Sequence, residues 1–255
     1  MASKPSSKGP LYVIEHMEEG LEEWCRLEYR HICQIVPPQQ AVFLRFPADL
    51  DASSFSQLGP EGASAPPRTE AAKLDELVAC SSGAEPTKRM TTKGPPLPTW
   101  DRICLLDMDA DEALEPADAG RFDALVFGGI LGNIVENDDG SYGSDDRTAE
   151  LRKLGFTNRR HLGPMQMTTD TAVLACRLVL EEARPLAEIP FIDSPEIVGE
   201  AATQSKDEGP GDCVCMEGFR YVARRGADGE WEPDLPEGMR ELLLRSADDD
   251  ILGSL

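Results

Sequence analysis

The sequence predicts an α/β fold, a mainly parallel sheet with flanking helices, and two observations carry that prediction. Short apolar runs of strand length recur at Leu11 to Ile14, Ala41 to Phe46, Arg102 to Leu106 and Leu125 to Phe127. Stretches of helical periodicity alternate with them, the order expected when parallel strands are joined by crossover helices.

The first run, Leu11 to Ile14, ends in Glu15-His16. A helical pattern follows from Glu18 to about Val36, with Leu21, Trp24, Cys25, Ile32, Ile35 and Val36 on a period of about 3.6 residues. Glu28 falls in the middle of that stripe, seven residues after Leu21 and four before Ile32. Carboxylates almost never go inside unpaired. Glu28 therefore either pairs with a buried cation, Arg147 being one candidate, or faces a cleft.

After the strand Ala41 to Phe46 the composition changes. Residues 47–98 are rich in Ser, Ala, Gly and Pro, with only Leu74 to Val78 locally helical. Such a segment buries too little apolar surface to offset its ordering entropy. It reads as a flexible insertion in a single domain spanning 1–255, and 199–211 reads as a shorter one. The next strand, Arg102 to Leu106, leads into Asp107-x-Asp109-x-Asp111, which imitates a calcium loop. The sixth position is Glu112 instead of Gly and the twelfth is Asp118 instead of Glu, so no metal site is expected.

The strand Leu125 to Phe127 breaks into Gly128-Gly129-Ile130-Leu131-Gly132. This is neither the G-x-G-x-x-G of dinucleotide sites nor a Walker loop, since no Lys-Ser or Lys-Thr pair follows. Asp146 is placed to cap a helix through Leu154, stopped by Gly155. A second loop, His161 to Asp170, contains Leu162, Gly163, Gln166, Met167, Thr168 and Thr169. Thr168, Thr169 or Asp170 caps the helix Thr171 to Ala183. Two loops of low bulk, one entering a helix N-terminus with free N–H groups, describe a small-molecule pocket built largely from backbone. The plainer alternative is a glycine turn that lets strand and loop pack closely. Ile189 to Ile192 and Phe219 to Ala223 read as strands, Asp228-Gly229 as a turn, and Pro236 starts a helix near Glu237 to Arg245. No internal repeat is present.

Lys and Arg number 25 against 47 Asp and Glu, a net charge of −22. That balance repels a phosphate backbone and favours a basic protein partner; direct nucleic-acid binding is not expected. No run of roughly 18 apolar residues occurs, so no membrane span is expected, and Met1 to Pro10 lack the apolar core of a signal peptide. The seven cysteines stand mostly alone inside apolar patterns, as reduced cytoplasmic core residues do. Cys213-Val214-Cys215 has the wrong spacing for a zinc site.

Several blocks together resemble one family. They are Glu15-His16-Met17-Glu18-Glu19-Gly20 with Trp24 and Leu27-Glu28-Tyr29, then Phe127 to Gly132, Asp146-Arg147-Thr148 and Gln166 to Ala172. Ile189 to Asp193, Pro195-Glu196-Ile197 and Leu235 to Met239 complete the set. The chain resembles the SPOUT-class methyltransferases, specifically the fungal branch that methylates arginine on a small-subunit ribosomal protein. The resemblance covers nearly everything outside the two insertions. The acidic loop Ile134 to Asp145 and the long 47–98 insertion depart from the family pattern.

The resemblance implies a SPOUT-like domain with a trefoil knot in its C-terminal half. It implies S-adenosylmethionine as methyl donor, held by Phe127, Gly128, Gly129, Ile130, Leu131, Gly132, Leu162, Gly163, Gln166, Met167, Thr168 and Thr169. A monomer is expected. Arginine is a difficult nucleophile because its guanidinium stays protonated, so a carboxylate must hold the fork and take a proton. Glu28 and Asp146 are the candidates, with Arg147 beside them. Asp146 could equally be only a helix cap, and Arg147 only its partner. Two other functions fit the same resemblance: a SPOUT methyltransferase acting on RNA, and a non-catalytic S-adenosylmethionine-binding ribosome-assembly protein.

Overall fold

Alternate residues of the central strands enter two different cores, which is why the sheet is covered on both faces. In a computed structural model, residues 9–18, 20–47, 66–79, 94–128, 134–136, 142–144, 148–199 and 213–253 are described. From β1 (Leu11–Glu15), Tyr12 and Ile14 join one apolar cluster and Val13 the other. β2 (Ala41–Leu44) divides likewise, Phe43 from Val42 and Leu44. So do β4 (Ile103–Leu106) and β5 (Ala124–Gly128): Cys104, Leu125 and Phe127 lie on one side, Ile103, Leu105 and Val126 on the other. Strands buried on both faces read as unbroken apolar runs, the usual state of parallel sheets.

The first face is covered by α1 (Glu23–Ile35), through Tyr29, Ile32 and Cys33, and by the helix Thr169–Leu180. The second is covered by α2 (Leu74–Leu77) and α3 (Thr148–Arg152), through Leu74, Leu77 and Leu151. The Thr169–Leu180 helix is α4.

With β3 (Arg68–Thr69) and β8 (Arg159–Arg160), the sheet runs β3-β2-β1-β5-β4-β8, every pair parallel. The expectation of a flexible 47–98 insertion needs correction. Residues 68–69 extend the sheet beside β2, and Leu74, Leu77 and Leu97 are core residues. Sparse apolar residues in a polar background were enough to fold once they met an existing sheet face. Residues 48–65, 80–93 and most of the second insertion, 200–212, lie outside the described residues.

Antiparallel pieces complete the chain. β9 (Phe191–Asp193), β12 (Arg220–Arg225) and β13 (Trp231–Pro233) form a second sheet in the order β13-β12-β9. β6 (Ile134–Glu136) pairs with β7 (Tyr142–Ser144), and β10 (Glu196–Val198) with β11 (Cys213–Cys215), so Cys213-Val214-Cys215 is a strand. The terminal helix α5 (Met239–Gly253) starts later and runs further than the sequence indicates. α1 likewise starts at Glu23, five residues after Glu18, and α4 at Thr169 in place of Thr171. The expected knot depends on loops that include 129–133 and 145–147, outside the described residues. Cys25, Cys33, Cys104 and Cys176 are buried free thiols.

Candidate active site

Trp24, Glu28 and His31 share one face of α1, four and three residues apart, and that face meets the N-terminus of α4. Glu28 is buried completely, as its place on the apolar stripe implies. Trp24 Nε1–H donates to Oε1, and the Thr169 backbone N–H donates to Oε2 at 3.2 Å. The Asp170 backbone N–H also bonds this carboxylate. Glu28 thus caps α4 from another helix, so the N–H groups expected to be free there are occupied. No lysine or arginine among the described residues pairs with Glu28; the ion-pair candidate Arg147, like Asp146, lies outside them. Burial, reinforced by the Asp170 charge, pushes the Glu28 carboxyl well above the usual carboxylate range, against the pull of the Trp24 and backbone donors.

Asp170 stands beside Glu28 at the second position of α4 and is 1% exposed. Its Oδ2 bonds His31 Nδ1 at 2.7 Å, while its Oδ1 has no hydrogen-bond partner. Burial alone would lower the His31 pKa, but the Asp170 carboxylate outweighs it and the net shift is upward. The hydroxyl of Tyr221, on β12, is also buried without a partner. Burial and then the charges of Asp170 and Glu28 push its phenol far up. Two carboxylates and a phenol from three elements therefore lie close enough to influence one another, with His31, Arg224 and Asp234 at the edge of the group.

Some of the residues expected to hold the donor lie among the described residues. Phe127 and Met167 belong to the same apolar core, with Leu162 packed against it. A Cβ placed on Gly128 would stand 3.3 Å from Thr148 Oγ1, a tight approach that requires the hydroxyl to shift, so glycine suits the close packing of the end of β5 on α3. Gly163 has φ of +117°, a conformation that a side chain would strain, and its N–H donates to His161 Nδ1 at 3.1 Å. Gln166 accepts from the Arg220 N–H at 2.8 Å, which ties the loop to the second sheet. Thr168, the α4 N-cap residue, uses its hydroxyl on Thr171 Oγ1 at 2.7 Å. Gly129, Ile130, Leu131 and Gly132 lie outside the described residues. The Gly163 N–H and the Gln166 carbonyl are thus already engaged within the protein.

The sheet order adds a third element. Between β1 and β5 the strand order reverses, and ligands of open α/β sheets bind outside the carboxyl ends of strands at such a point. There Glu15 is the register partner of Gly128. Glu15 Oε2 and His16 Nε2 are both buried without hydrogen bonds, and His16 Nδ1 lies 2.8 Å from the Tyr29 hydroxyl. Burial raises the Glu15 pKa to about 7, against the pull of Arg45.

Sequence reasoning missed Asp170, His31 and Tyr221 as site residues. The 24, 28, 31 spacing was a readable signal for His31, and Asp170 stood within a singled-out block; Tyr221 gave none.

A parallel α/β sheet and a buried carboxylate cluster at its helix ends set the frame, and comparison gives the class, protein arginine methyltransferases. The "yeast arginine methyltransferase SFM1 complexed with SAM" superimposes with a TM-score of 0.69 at 30% identity, covering 96% of this chain and 94% of that one. The same yeast protein complexed with SAH gives 0.66 at 32% identity, covering 91% and 94%. "Protein arginine N-methyltransferase SFM1" of Saccharomyces cerevisiae is 33% identical over 243 residues, 92% of this chain and 95% of its own length. The chain belongs to the family described as "Protein arginine N-methyltransferase SFM1-like", which it matches over residues 11–250.

Proposed function

We propose that this chain transfers a methyl group from S-adenosylmethionine to an arginine side chain of a protein. The observation that carries the reading is 33% identity, spread over 92% of the chain, to a protein arginine N-methyltransferase. The backbone of Phe127, Gly128, Leu162, Gly163, Gln166 and Met167 holds the donor, together with Gly129, Ile130, Leu131, Gly132, Thr168 and Thr169. S-adenosylmethionine supplies an electrophilic methyl carbon: as the arginine nitrogen bonds to it, the C–S bond breaks and its electron pair leaves on a neutral thioether.

The protein's part is to position the guanidinium and remove a proton. Positioning alone can contribute about 7–11 kcal/mol when reactants are well aligned. Glu28 offers roughly four acceptor directions, of which Trp24, Thr169 and Asp170 occupy three. The fourth remains for the reaction. Its raised pKa makes it a stronger base than an exposed carboxylate, and an arriving cation favours its ionised form. Asp146 and Arg147, which the family resemblance adds, complete the proposed set.

A net charge of −22 supports a basic target and opposes RNA. With the family resemblance, it supports a small-subunit ribosomal protein as substrate, methylated in the cytoplasm by a monomeric, knotted SPOUT domain. The test is incubation with methyl-labelled S-adenosylmethionine and separate ribosomal protein and RNA fractions. Label in arginine of a protein is expected. Label confined to RNA, or none in either fraction, would refute the reading.

A further inference from the structure

We propose that Asp170 and Tyr221, beside Glu28, form the slot that receives the target guanidinium, with Asp170 Oδ1 and the Tyr221 hydroxyl as its direct hydrogen-bond partners. This rests on the arginine-methylation reading and names the residues that recognise the substrate.

Buried polar atoms are hydrogen-bonded in the great majority of cases, and leaving one unmade costs about 1–3 kcal/mol. Asp170 Oδ1 and the Tyr221 hydroxyl are two such unpartnered atoms. They come from α4 and β12, which the Gln166 to Phe219 bridge holds together. Both residues are 1% exposed, and nothing local requires either atom to be polar: phenylalanine would fill the Tyr221 site. Tyr221 belongs to an apolar cluster with Ile197, Met216, Phe219 and Met239, side chains suited to the aliphatic stem of an arginine.

The charge balance points the same way. Glu28 and Asp170 are two carboxylates, of which only Asp170 is hydrogen-bonded to an imidazole, that of His31; Asp234 and Arg224 lie near enough to act on the same groups. That imidazole holds Asp170 Oδ2 and leaves Oδ1 without a hydrogen-bond partner. A planar guanidinium with five N–H donors and one positive charge satisfies a free carboxylate oxygen and a phenol oxygen together, and its charge favours the ionised form of the buried carboxyls beside it. A lysine ammonium matches the charge but not the planar fork, and a neutral base matches neither. His31, with its side chain 12% exposed, marks where the cluster reaches solvent. The influence of both carboxylates on the Tyr221 phenol is consistent with their shared location.

Tyr221→Phe tests the slot cleanly, because it deletes only an unpartnered hydroxyl. The variant should fold, with a melting temperature equal to or above the parent's. It should lose about tenfold or more in kcat/KM on an arginine-bearing basic peptide, with calorimetric S-adenosylmethionine affinity unchanged. N-acetyl-arginine amide should raise the parent's melting temperature in the absence of donor, and fail to raise the variant's. Asp170→Asn should lose at least a hundredfold in kcat/KM; should it not fold, the Tyr221→Phe comparison stands by itself. Arginine labelling by the parent with an unimpaired Tyr221→Phe would overturn the slot and leave the activity standing. Absence of any arginine labelling by the parent would overturn both.

Discussion

Replacing Glu28 by Gln separates a chemical role from a capping role, and the structure sets the size of each. Glutamine keeps the shape of glutamate but only one acceptor oxygen. Trp24 Nε1–H lies on one oxygen of Glu28 and the α4 backbone N–H groups on the other. The new NH₂ must therefore face one set of donors, and whichever amide rotamer is chosen, at least one buried hydrogen bond is lost. The loss costs about 1–3 kcal/mol, partly offset because a buried charge raised by its neighbour is also removed. For a chain of this size it lowers the melting temperature by roughly 2–10 °C. The larger penalty of about 3–5 kcal/mol that follows breaking a buried ion pair does not apply, since no cation among the described residues is paired with Glu28. If Glu28 accepts the guanidinium proton, the same variant also loses about 10²–10⁴ in single-turnover rate. A melting curve and a single-turnover assay on a basic peptide measure both. A folded fraction that turns over within threefold of the parent, at any melting temperature, would reduce Glu28 to a cap of α4 and refute its part in the chemistry.

Gly128→Val drives a branched side chain against Thr148, where even a Cβ stands 3.3 Å from Oγ1, and calorimetry should show S-adenosylmethionine binding weakened at least tenfold; unchanged affinity in a folded variant would relocate the donor site. Glu15 has its folded pKa raised from 4.5 to about 7, so the fold favours its protonated form and stability falls as pH rises through that window, by up to about 1.4 kcal/mol per pH unit. Glu15→Gln should match the parent below about pH 4.5 and exceed it above pH 7, whereas parallel stability curves would contradict the shift. Short Gly/Ser linkers in place of 48–65 and 80–93, with 66–79 retained, should leave the melting temperature within about 3 °C of the parent. Removing 47–98 entirely deletes Leu74, Leu77 and Leu97 from the core, each worth about 2–5 kcal/mol, and should abolish the cooperative transition; an intact transition would show that this part of the core is dispensable.

What sequence alone determined here is local. The runs at β1, β2, β4 and β5 are apolar at every turn of the pleat because both sheet faces are covered, so their strand character was readable without knowing their neighbours. Glu28 was identifiable as buried because helical periodicity is a short-range property, and one carboxylate among Leu21, Cys25 and Ile32 has no other place to go. The glycines at 128 and 163 announced backbone without bulk, although the sequence could not tell a cradle from a tight turn. Sheet order was not readable, because pairing β1 with β5 joins residues more than a hundred positions apart and no local pattern encodes that choice. The folding of 66–79 onto β2 was hidden for the same reason: Leu74 and Leu77 look isolated in sequence and become core only against a face supplied by Val13 and Val42. The partners of Glu28 were likewise decided in three dimensions. Its carboxylate caps a helix that begins 141 residues later, and Asp170, His31 and Tyr221 become one polar cluster only where α1, α4 and β12 meet. Burial there removes water as the alternative partner, so the geometry of those three elements, and no property of any single segment, sets which polar atoms are satisfied and which are left without a partner.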